Sequence, residues 1–306
     1  MATIPSNGLH EGREITVDIV IPVLNEAHVL ERSVATVRKF LGTQSGYRLR
    51  VVIVDNGSTD STSKVGETLA KQYTDVQFIH LDQKGRGRAL QHAWIESTAD
   101  IACYMDVDLS TELEALPKAL RAIAENGYDI AIGSRLLPES NIRRSPTREF
   151  ISRVYNLLVR VVLCTRFSDA QCGFKAVSRQ VIERIVGQVR DESWFFDTEL
   201  LVLAEKMGYR IFEIPVVWNE DGDSRVKLLR TAWEDICGIF RLRWMLWTGR
   251  FRAVAARSCK QADATSEVSV HSHEEVVSDS ISGIMTSPRA ERVSVSQARA
   301  AKGAGD

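Results

Sequence analysis

The segment IACYMDVDLST (residues 101–111) decides how the rest of the chain is interpreted, because an apolar run ends in two aspartates. The apolar run predicts a buried strand over residues 101–108. Side chains at i and i+2 of a strand share a face, so we expect Asp106 and Asp108 to lie together at its carboxyl end. Adjacent carboxylates repel each other unless a cation lies between them. Their oxygens suit Mg²⁺ or Mn²⁺ that is shared with a diphosphate.

Two other interpretations of this segment remain open. Asp108, Ser110 and Thr111 are all residue types that cap a following helix, although capping leaves one of the two aspartates unexplained. The D-x-D-x-[ST] spacing also resembles the nucleophile loop of haloacid-dehalogenase-type phosphatases. In that class the motif follows the first strand of the domain, whereas here it follows the fourth predicted strand.

Strand and helix patterns alternate on both sides of this segment. Predicted strands cover residues 16–23, 49–55, 76–81, 101–108 and 128–134, with helical apolar spacing between them. The alternation predicts an α/β fold with a mainly parallel sheet, helices on both faces, and ligands beyond the carboxyl ends of the strands. The pattern loosens after residue 140, where helices are predicted at 149–163 and 195–208 and strands at 172–178 and 209–218.

Composition narrows the cellular setting. The chain has 306 residues and a net charge of −1, so no overall basic character points to nucleic acid. Its five cysteines are odd in number and widely spaced, which favours a reducing compartment over a disulfide framework or a zinc site. Residues 1–15 lack a signal-peptide core, and no apolar run reaches the roughly 18 residues of a membrane span. We expect a cytoplasmic protein, or one bound to a membrane only at its surface.

Two further segments carry polar groups at predicted strand or helix ends. In VIVDNGSTDST (52–62), Asp55 ends a strand and is placed to contact a ribose hydroxyl or a base N–H, unless the segment is an ordinary turn. In KGRGRAL (84–90), Lys84 and Arg86 precede or begin a helix. Backbone amides and cations at a helix start make a phosphate site, but a solvated basic turn fits this short motif equally well.

These segments together resemble a known family. IPVLNE (21–26), VDNGSTD (54–60), MDVDLST (105–111) and IGSR (132–135) recur in this order in family 2 glycosyltransferases of the GT-A fold. Three later segments resemble the polyprenyl-phosphate sugar transferases, which include the dolichyl-phosphate glucose and mannose synthases: FSDAQCGFKAVSR (167–179), WFFDTELL (194–201) and DSRVKLL (223–229). The resemblance covers about residues 16–245. The sequence differs from the family pattern at Asn56, where the family often has a second aspartate. It also shows no counterpart of the membrane helices that many relatives append.

The resemblance implies a set of site residues. Nucleotide-sugar binding is expected from Pro22, Asn25, Glu26, Asp55, Lys84, Arg86 and Asp106. Asp106 and Asp108 are expected to hold Mg²⁺ or Mn²⁺, and Asp108 and Asp169 to be catalytic, with Asp169 as an orienting group or a weak base. Phosphate and acceptor binding is expected from Arg135, Arg148, Arg225 and Lys227, with Arg143 and Arg144 in the same basic group.

The resemblance also implies a reaction. We expect inverting transfer of a sugar, with glucose favoured, from a nucleotide sugar to a polyprenyl phosphate. UDP-glucose is the first choice of donor and GDP-mannose the second. The setting would be the cytoplasmic face of a membrane, in the assembly of a cell-envelope glycan, with a separate flippase as a partner. Three alternatives stay open: a GT-A transferase acting on a sugar or small-molecule hydroxyl, a phosphatase, and a non-catalytic nucleotide-sugar sensor.

The chain is expected to comprise a leader (1–15), a GT-A catalytic domain (16–227), an amphipathic membrane-surface helical segment (228–257) and a disordered tail (258–306). The third region mixes arginines with tryptophans, as helices on anionic bilayers do: Arg241, Arg243, Arg250, Arg252, Trp244 and Trp247. A helix packed on the domain is the alternative. Glu199 is expected to be either a buried partner of an arginine or a site residue.

Overall fold

The computed structural model describes residues 13–219 and 228–248. The strands in these ranges are β1 (Ile15–Val23), β2 (Tyr47–Asn56), β3 (Val76–Leu81), β4 (Ile101–Met105), β5 (Ile130–Ser134), β6 (Asn141–Arg143), β7 (Phe174–Ser178), β8 (Ile211–Pro215) and β9 (Val217–Asn219). The helices are α1 (Ala27–Leu41), α2 (Thr62–Gln72), α3 (Arg86–Glu96), α4 (Ala115–Ala124), α5 (Pro146–Leu163), α6 (Arg179–Arg184), α7 (Phe196–Lys206) and α8 (Leu228–Trp247), with a 3₁₀ turn at Val186–Gln188.

Seven strands form one sheet in the order β3-β2-β1-β4-β7-β5-β8. Every pairing in this sheet is parallel except those of β7, which runs antiparallel to both β4 and β5. A second, two-stranded sheet pairs β6 with β9. The predicted α/β architecture with a mainly parallel sheet is therefore confirmed.

The central strands are buried on both faces, which explains their continuous apolar sequences. Along β2, Val52 and Val54 join one apolar core, whereas Val51 and Ile53 join another. Alternate residues of a strand point to opposite faces, so the two cores lie on the two sides of the sheet. This arrangement fits a parallel sheet that is covered by helices on each side.

The structure corrects two predicted strands and adds two short elements. The predicted strand over 101–108 ends at Met105, so the two aspartates of the opening segment lie in a turn. The predicted strand over 209–218 is two strands that belong to different sheets. It divides after Pro215, which has no N–H to continue the ladder. The short elements β6 and α6 were not predicted, because three to six residues are too few to show a period.

The reversed direction of β7 matters for the site. Its first residue, Phe174, pairs with Met105 at the end of β4. The loop that precedes β7 therefore arrives at the edge where β4 ends. Residues 169–173 of this loop carry the D-x-x-C-G segment.

Helix α8 is packed on the domain. Ile239 and Leu242 are buried in the core on one side of the sheet. A Cβ on Gly238 would come within 2.5 Å of the Phe195 ring, so this glycine allows α8 to approach closely. No helix in the described ranges is long and apolar enough to cross a bilayer. The predictions for residues 1–12, 249–257 and 258–306 lie outside the described residues.

Candidate active site

The turn after β4 places the two aspartates of the opening segment. The Asp106 carbonyl accepts a hydrogen bond from the Leu109 amide at 3.1 Å, and Leu109 has a positive φ of 53°. The i, i+2 argument from strand geometry was therefore wrong, because a turn and not a strand holds the pair. The expected caps are also corrected: α4 begins at Ala115, and the Asp108 carboxylate instead accepts from the Ser110 amide at 3.0 Å.

Asp106 and Asp108 differ in their surroundings. The Asp106 side chain is 37% exposed, and Asp108 is exposed to solvent. Burial raises the pKa of Asp106; the Arg86 cation opposes this and repulsion from Asp108 adds to it.

Gly173 makes room for Asp106. A Cβ built on Gly173 would lie 1.7 Å from Asp106 Oδ2, so any side chain at this position would displace the carboxylate. The backbone fixes the same contact, because the Asp106 amide donates to the Gly173 carbonyl at 3.2 Å. The glycine of the D-x-x-C-G segment is thus a component of the carboxylate site.

A buried charge network lies beneath Asp106. The Arg86 guanidinium donates to Asp106 at 3.0 Å and to Asp197 at 2.6 Å. The Tyr104 hydroxyl donates to Asp197 at 2.9 Å, and the fully buried Lys175 ammonium lies 3.3 Å from the same carboxylate. Burial raises the pKa of Asp197, but Lys175 and Arg86 outweigh it and leave the pKa below its ordinary value. Sequence reasoning missed Asp197 and Tyr104, although Asp197 lies in the quoted FDTELL segment.

Arg135 and Asp169 form a second buried pair. Arg135 donates through Nε to Asp169 Oδ2 at 2.7 Å and through Nη2 to Oδ1 at 2.9 Å, and its amide donates to Oδ2 at 3.0 Å. Asp169 is fully buried. Burial acts to raise the pKa of Asp169, but the adjacent Arg135 cation overcomes this and lowers the pKa to about 2. Asp169 therefore stays ionised and holds Arg135 in place.

Asp55 accepts hydrogen bonds from the protein itself. Its carboxylate accepts from the Ser58 amide at 3.0 Å, from the Ser63 hydroxyl and from His80 Nδ1 at 3.0 Å, and its side chain has 0% exposure. Burial acts to raise the pKa of Asp55, but these hydrogen bonds lower it further. In this structure Asp55 orders the turn after β2 and presents no surface to a nucleoside. Its contact with the donor stays a prediction.

The first predicted motif supports the same turn. Asn25, at the end of the IPVLN segment, has a positive φ of 57° and accepts from the Thr59 amide at 2.7 Å. The Glu26 amide donates to the Thr62 hydroxyl at 2.9 Å, and Pro22 is buried within β1. These three residues therefore join the ends of β1 and β2, and their contact with a nucleotide remains a prediction.

The start of α3 is occupied by protein. The Arg88 amide donates to the Glu192 carbonyl at 3.0 Å, and a Cβ on Gly87 would lie 2.8 Å from the Glu192 carbonyl carbon. Arg86 is held by Asp106 and Asp197, as described above. Contact of Lys84 and Arg86 with a phosphate therefore stays a prediction, and of these two cations only Lys84 is exposed.

The acceptor-side arginines are only partly described. The guanidinium of Arg135 lies 5.7 Å from the ring centre of Trp218, and that of Arg144 lies 5.9 Å from the same ring. Arg148 is half-buried in the first turn of α5, and Arg143 is exposed in β6. Sequence reasoning missed Trp218 on β9. Arg225 and Lys227 lie outside the described residues.

The described residues do not enclose a metal ion by themselves. Within residues 13–219 and 228–248, no three side chains of the His, Cys, Asp or Glu type group as a metal site. A hard cation at Asp106 and Asp108 would have to complete its coordination with water and substrate oxygens, as Mg²⁺ commonly does.

The sequence of the chain matches the model of a known protein family. The model described as glycosyl transferase family 2 matches residues 18–186, which is more than half of the chain. The chain belongs to this family. The match confirms the expected family and the expected enzyme class, a glycosyltransferase. It does not favour the phosphatase interpretation of Asp106 and Asp108.

Curated relatives extend the match beyond the family model. The chain is 36% identical over 241 residues to glycosyltransferase AglD of Haloferax volcanii, covering 76% of this chain but 38% of AglD. It is 30% identical to the dolichyl-phosphate beta-glucosyltransferase of Saccharomyces cerevisiae over 72% of each protein. It is 26% identical to dolichyl-phosphate beta-glucosyltransferase ALG5C of Trichomonas vaginalis, over 82% of this chain and 78% of the relative.

Solved structures support the fold. Glucosyl-3-phosphoglycerate synthase from Mycobacterium tuberculosis, in complex with Mn²⁺, UDP-glucose and glycerol 3-phosphate, matches with a TM-score of 0.57 at 17% identity, over 75% of this chain and 80% of that one. Its complex with Mg²⁺ and UDP matches with a TM-score of 0.57 over 75% and 79%. At this identity the likeness bears on the GT-A fold alone.

Proposed function

We propose that this family 2 glycosyltransferase transfers glucose from UDP-glucose to a polyprenyl phosphate with inversion at the anomeric carbon. Relatives named dolichyl-phosphate beta-glucosyltransferase support both the sugar and the acceptor, since they align over most of their own length. UDP-glucose is the donor present in the Mycobacterium tuberculosis complex of the same fold. GDP-mannose is the alternative donor to exclude.

The state of Asp169 carries the choice of acceptor. Transfer to a sugar hydroxyl needs a general base to remove the proton. Asp169, the base candidate, has both oxygens bound to Arg135, and its pKa of about 2 makes it a weak base. A phosphate monoester has a second pKa near ~6 and is already anionic at neutral pH. A phosphate acceptor therefore fits this site better than a hydroxyl, with Asp169 orienting Arg135 toward it.

The carboxylates after β4 fit a divalent cation. Asp106 and Asp108 repel each other, and Arg86, which opposes the raised pKa of Asp106, is shared with Asp197. We propose that the two aspartates hold Mg²⁺ or Mn²⁺, which would neutralise charge on the departing nucleotide diphosphate. Gly173 keeps the Asp106 carboxylate in place for this task. The proposed direct contact of Arg148, Arg225 and Lys227 with phosphate rests on the family resemblance.

Helices α5 and α8 offer a surface for the lipid. Each carries a row of exposed apolar residues at helical spacing: Phe150, Val154, Leu157 and Val161 on α5, and Trp233, Phe240, Trp244 and Trp247 on α8. Exposed Arg160 and Arg243 accompany these rows. Apolar rows with tryptophans and arginines suit the interface of an anionic bilayer, where a polyprenyl acceptor resides. We therefore propose peripheral binding to the cytoplasmic face of a membrane; a flippase partner stays a prediction.

One arginine departs from this surface. Arg241 donates to the buried Glu199 through both terminal nitrogens, at 2.9 and 2.7 Å. Its expected role in membrane docking is corrected, because this pair ties α8 to α7. The structural alternative for Glu199 fits this pair. Of the four arginines expected to dock, Arg250 and Arg252 lie outside the described residues, which leaves Arg243.

A substrate panel tests the proposed reaction. The protein would be incubated with UDP-glucose, GDP-mannose or UDP-N-acetylglucosamine, with Mn²⁺, and with a short polyprenyl phosphate or the matching polyprenol. We expect product only with the phosphate and fastest with UDP-glucose. Equal transfer to the polyprenol would favour the hydroxyl-acceptor alternative, and donor binding without turnover on any acceptor would favour the sensor.

Vesicle binding tests the proposed lipid surface. Replacing Leu157 and Trp244 by Ser should weaken sedimentation with anionic vesicles while leaving turnover of a water-soluble acceptor analogue near wild type. Ile95→Ser is the matched control, because Ile95 is an exposed apolar residue on α3, with 48% exposure. Vesicle binding that persists in the double variant would contradict the assignment.

A further inference from the structure

A buried carboxylate on α8 has a role that the proposed reaction does not use. Asp235 is 4% exposed. Its Oδ2 accepts a hydrogen bond from Gln171 Nε2 at 3.0 Å, whereas its Oδ1 has no hydrogen-bond partner among the described residues. Burying a carboxylate with an unsatisfied oxygen is costly, so the position calls for an explanation beyond packing.

The Gln171 contact leads directly to the acceptor side of the site. The backbone N–H of Gln171 donates to Asp169 Oδ1 at 3.2 Å. Asp169 in turn holds Arg135 through two side-chain hydrogen bonds. Asp235 is therefore connected to Arg135 through two intermediate residues. Each intermediate belongs to the loop that precedes β7.

The same loop is held from α5. The Ala170 amide donates to Asn156 Oδ1 at 2.9 Å, and Asn156 is buried. The two helices with exposed apolar rows thus each bind one residue of the loop. The sequence gives no sign of this, because Asn156 and Asp235 lie among several other polar residues of their helices and belong to no motif.

The groups around Asp235 favour its neutral form. Burial raises its pKa to about 7, the Gln171 hydrogen bond opposes this rise, and repulsion from Asp191, Glu234 and Asp197 adds to it. The negative charge of Asp235 also acts on Tyr155 of α5, whose pKa is raised first by its own burial and then by Asp235. The protonated form still accepts from Gln171 through Oδ2, so the link to the loop does not depend on the charge of Asp235.

We propose that Asp235 is a positioning residue, which fixes the loop of residues 169–173 to α8 through Gln171 and thereby keeps Asp169 and Arg135 aligned for the acceptor. The last step of this inference rests on the proposed function. The fixing of the loop itself does not. Since α8 also carries the exposed tryptophans, the link joins the proposed lipid surface to the acceptor side of the site.

Kinetics of a double-mutant cycle test the link. Asp235→Ala and Gln171→Ala should each lower kcat by about tenfold, the scale of one buried hydrogen bond left unsatisfied. The double variant should be no slower than either single variant, because both remove the same interaction. Asp235→Asn keeps an acceptor for Gln171 and should recover most of the turnover. Losses that multiply in the double variant would overturn the proposal.

Hydrogen exchange tests the fixing of the loop without any substrate. In the free protein, amides of residues 169–173 should exchange about tenfold faster in Asp235→Ala and in Gln171→Ala than in wild type. Cys237→Ser is the matched control at an exposed position of α8 and should leave these amides unchanged. Exchange that is unchanged in both alanine variants would overturn the proposal whether or not the sugar transfer is as proposed.

The two readouts separate the two proposals. Faster exchange in a protein whose wild type transfers no sugar would refute the proposed reaction and keep the positioning role. Sugar transfer by the wild type, with amide exchange in both alanine variants equal to that of the wild type, would support the proposed reaction and refute the positioning role. Gln171→Ala guards against misfolding at the buried Asp235 position, because Gln171 is half-buried in a loop.

Discussion

Two aspartates near strand ends, one in β2 and one directly after β4, have opposite surroundings. Asp55, at the end of β2, is fully enclosed and accepts hydrogen bonds from two serines and a histidine. Asp106, just after β4, keeps 37% of its side chain exposed and lies against Gly173. A carboxylate at a strand end is therefore not by itself a ligand site; the donors already bound to it decide its task.

The charge of the two groups follows the same division. Hydrogen bonds overcome burial and lower the pKa of Asp55, whereas burial and Asp108 together raise the pKa of Asp106 against the opposing Arg86 cation. Asp55 is satisfied by the protein alone. Asp106 and its neighbour carry negative charge that the described cations offset only in part.

The largest expected effect is on turnover at the end of β4. Asp108→Asn should lower kcat by about 10² to 10³-fold, the scale seen when a group that stabilises transition-state charge is removed. Asp108 is exposed, so its substitution should leave the melting temperature unchanged. Initial rates with and without EDTA, together with thermal unfolding, would measure this.

The matched control is Glu112→Gln, an exposed carboxylate close in sequence. It should keep wild-type turnover. Full activity of Asp108→Asn, or of wild type in excess EDTA, would contradict the metal assignment and remove the contrast with Asp55.

An intermediate effect is expected from Gly173→Ala. The new Cβ would fall 1.7 Å from Asp106 Oδ2, so the carboxylate has to move. We expect a loss of turnover of about 10²-fold, the scale of a 1 Å misplacement in an active site, and a weaker response to added Mn²⁺. Gly187→Ala serves as the control because its Cβ would meet nothing within 4 Å. An unchanged Mn²⁺ titration would show that Asp106 does not bind the cation.

The smallest expected effect compares one substitution at both aspartates. Asp55→Asn should lower the free energy of unfolding by about 1–3 kcal/mol at pH 7, the range for unsatisfied buried hydrogen bonds. Because the folded pKa of Asp55 is lowered, its stabilisation is present above about pH 4 and disappears as the pH falls through the folded value. The difference in melting temperature from wild type should therefore shrink in acid.

Asp106→Asn should act in the opposite direction. The folded pKa of Asp106 is raised, so its stabilising contribution is present below about pH 4 and lost as the pH rises. Removing the charge at pH 7 should raise the melting temperature of the metal-free protein slightly. Equal melting temperatures for the two variants across pH would refute the comparison.

The first part of the fold, from β1 to β4, was predictable from sequence because its strands are apolar and alternate with helices. Strand β3 matches the predicted residues 76–81, and β1 and β2 extend the predicted strands by one to three residues. The later part, from β5 to β9, was less predictable, because β6 and β9 have three residues each and β7 reverses direction. Direction is set by pairing with distant strands, which a local pattern does not record.

Site residues divide in the same way. Asp106, Asp108 and Asp169 lie in motifs and could be singled out from the sequence, whereas Tyr104, Asp197 and Trp218 could not. Tyr104 lies inside an apolar strand, where its hydroxyl gives no periodic signal. The hydrogen bonds of Asp55 could not be predicted from the sequence either, because Ser63 and His80 approach it only in the folded chain.

The reversed strand β7 also determines when the site can form during synthesis. Strands β1 to β4 are all contained in the first 105 residues of the chain. Asp106 nevertheless has no wall until Gly173 arrives, and β7 then pairs with β4 across some 70 residues of intervening chain. Pairings of such long separation form late, because loop closure must precede them. A nascent chain therefore contains strands β1 to β4 well before Gly173 is able to lie against Asp106.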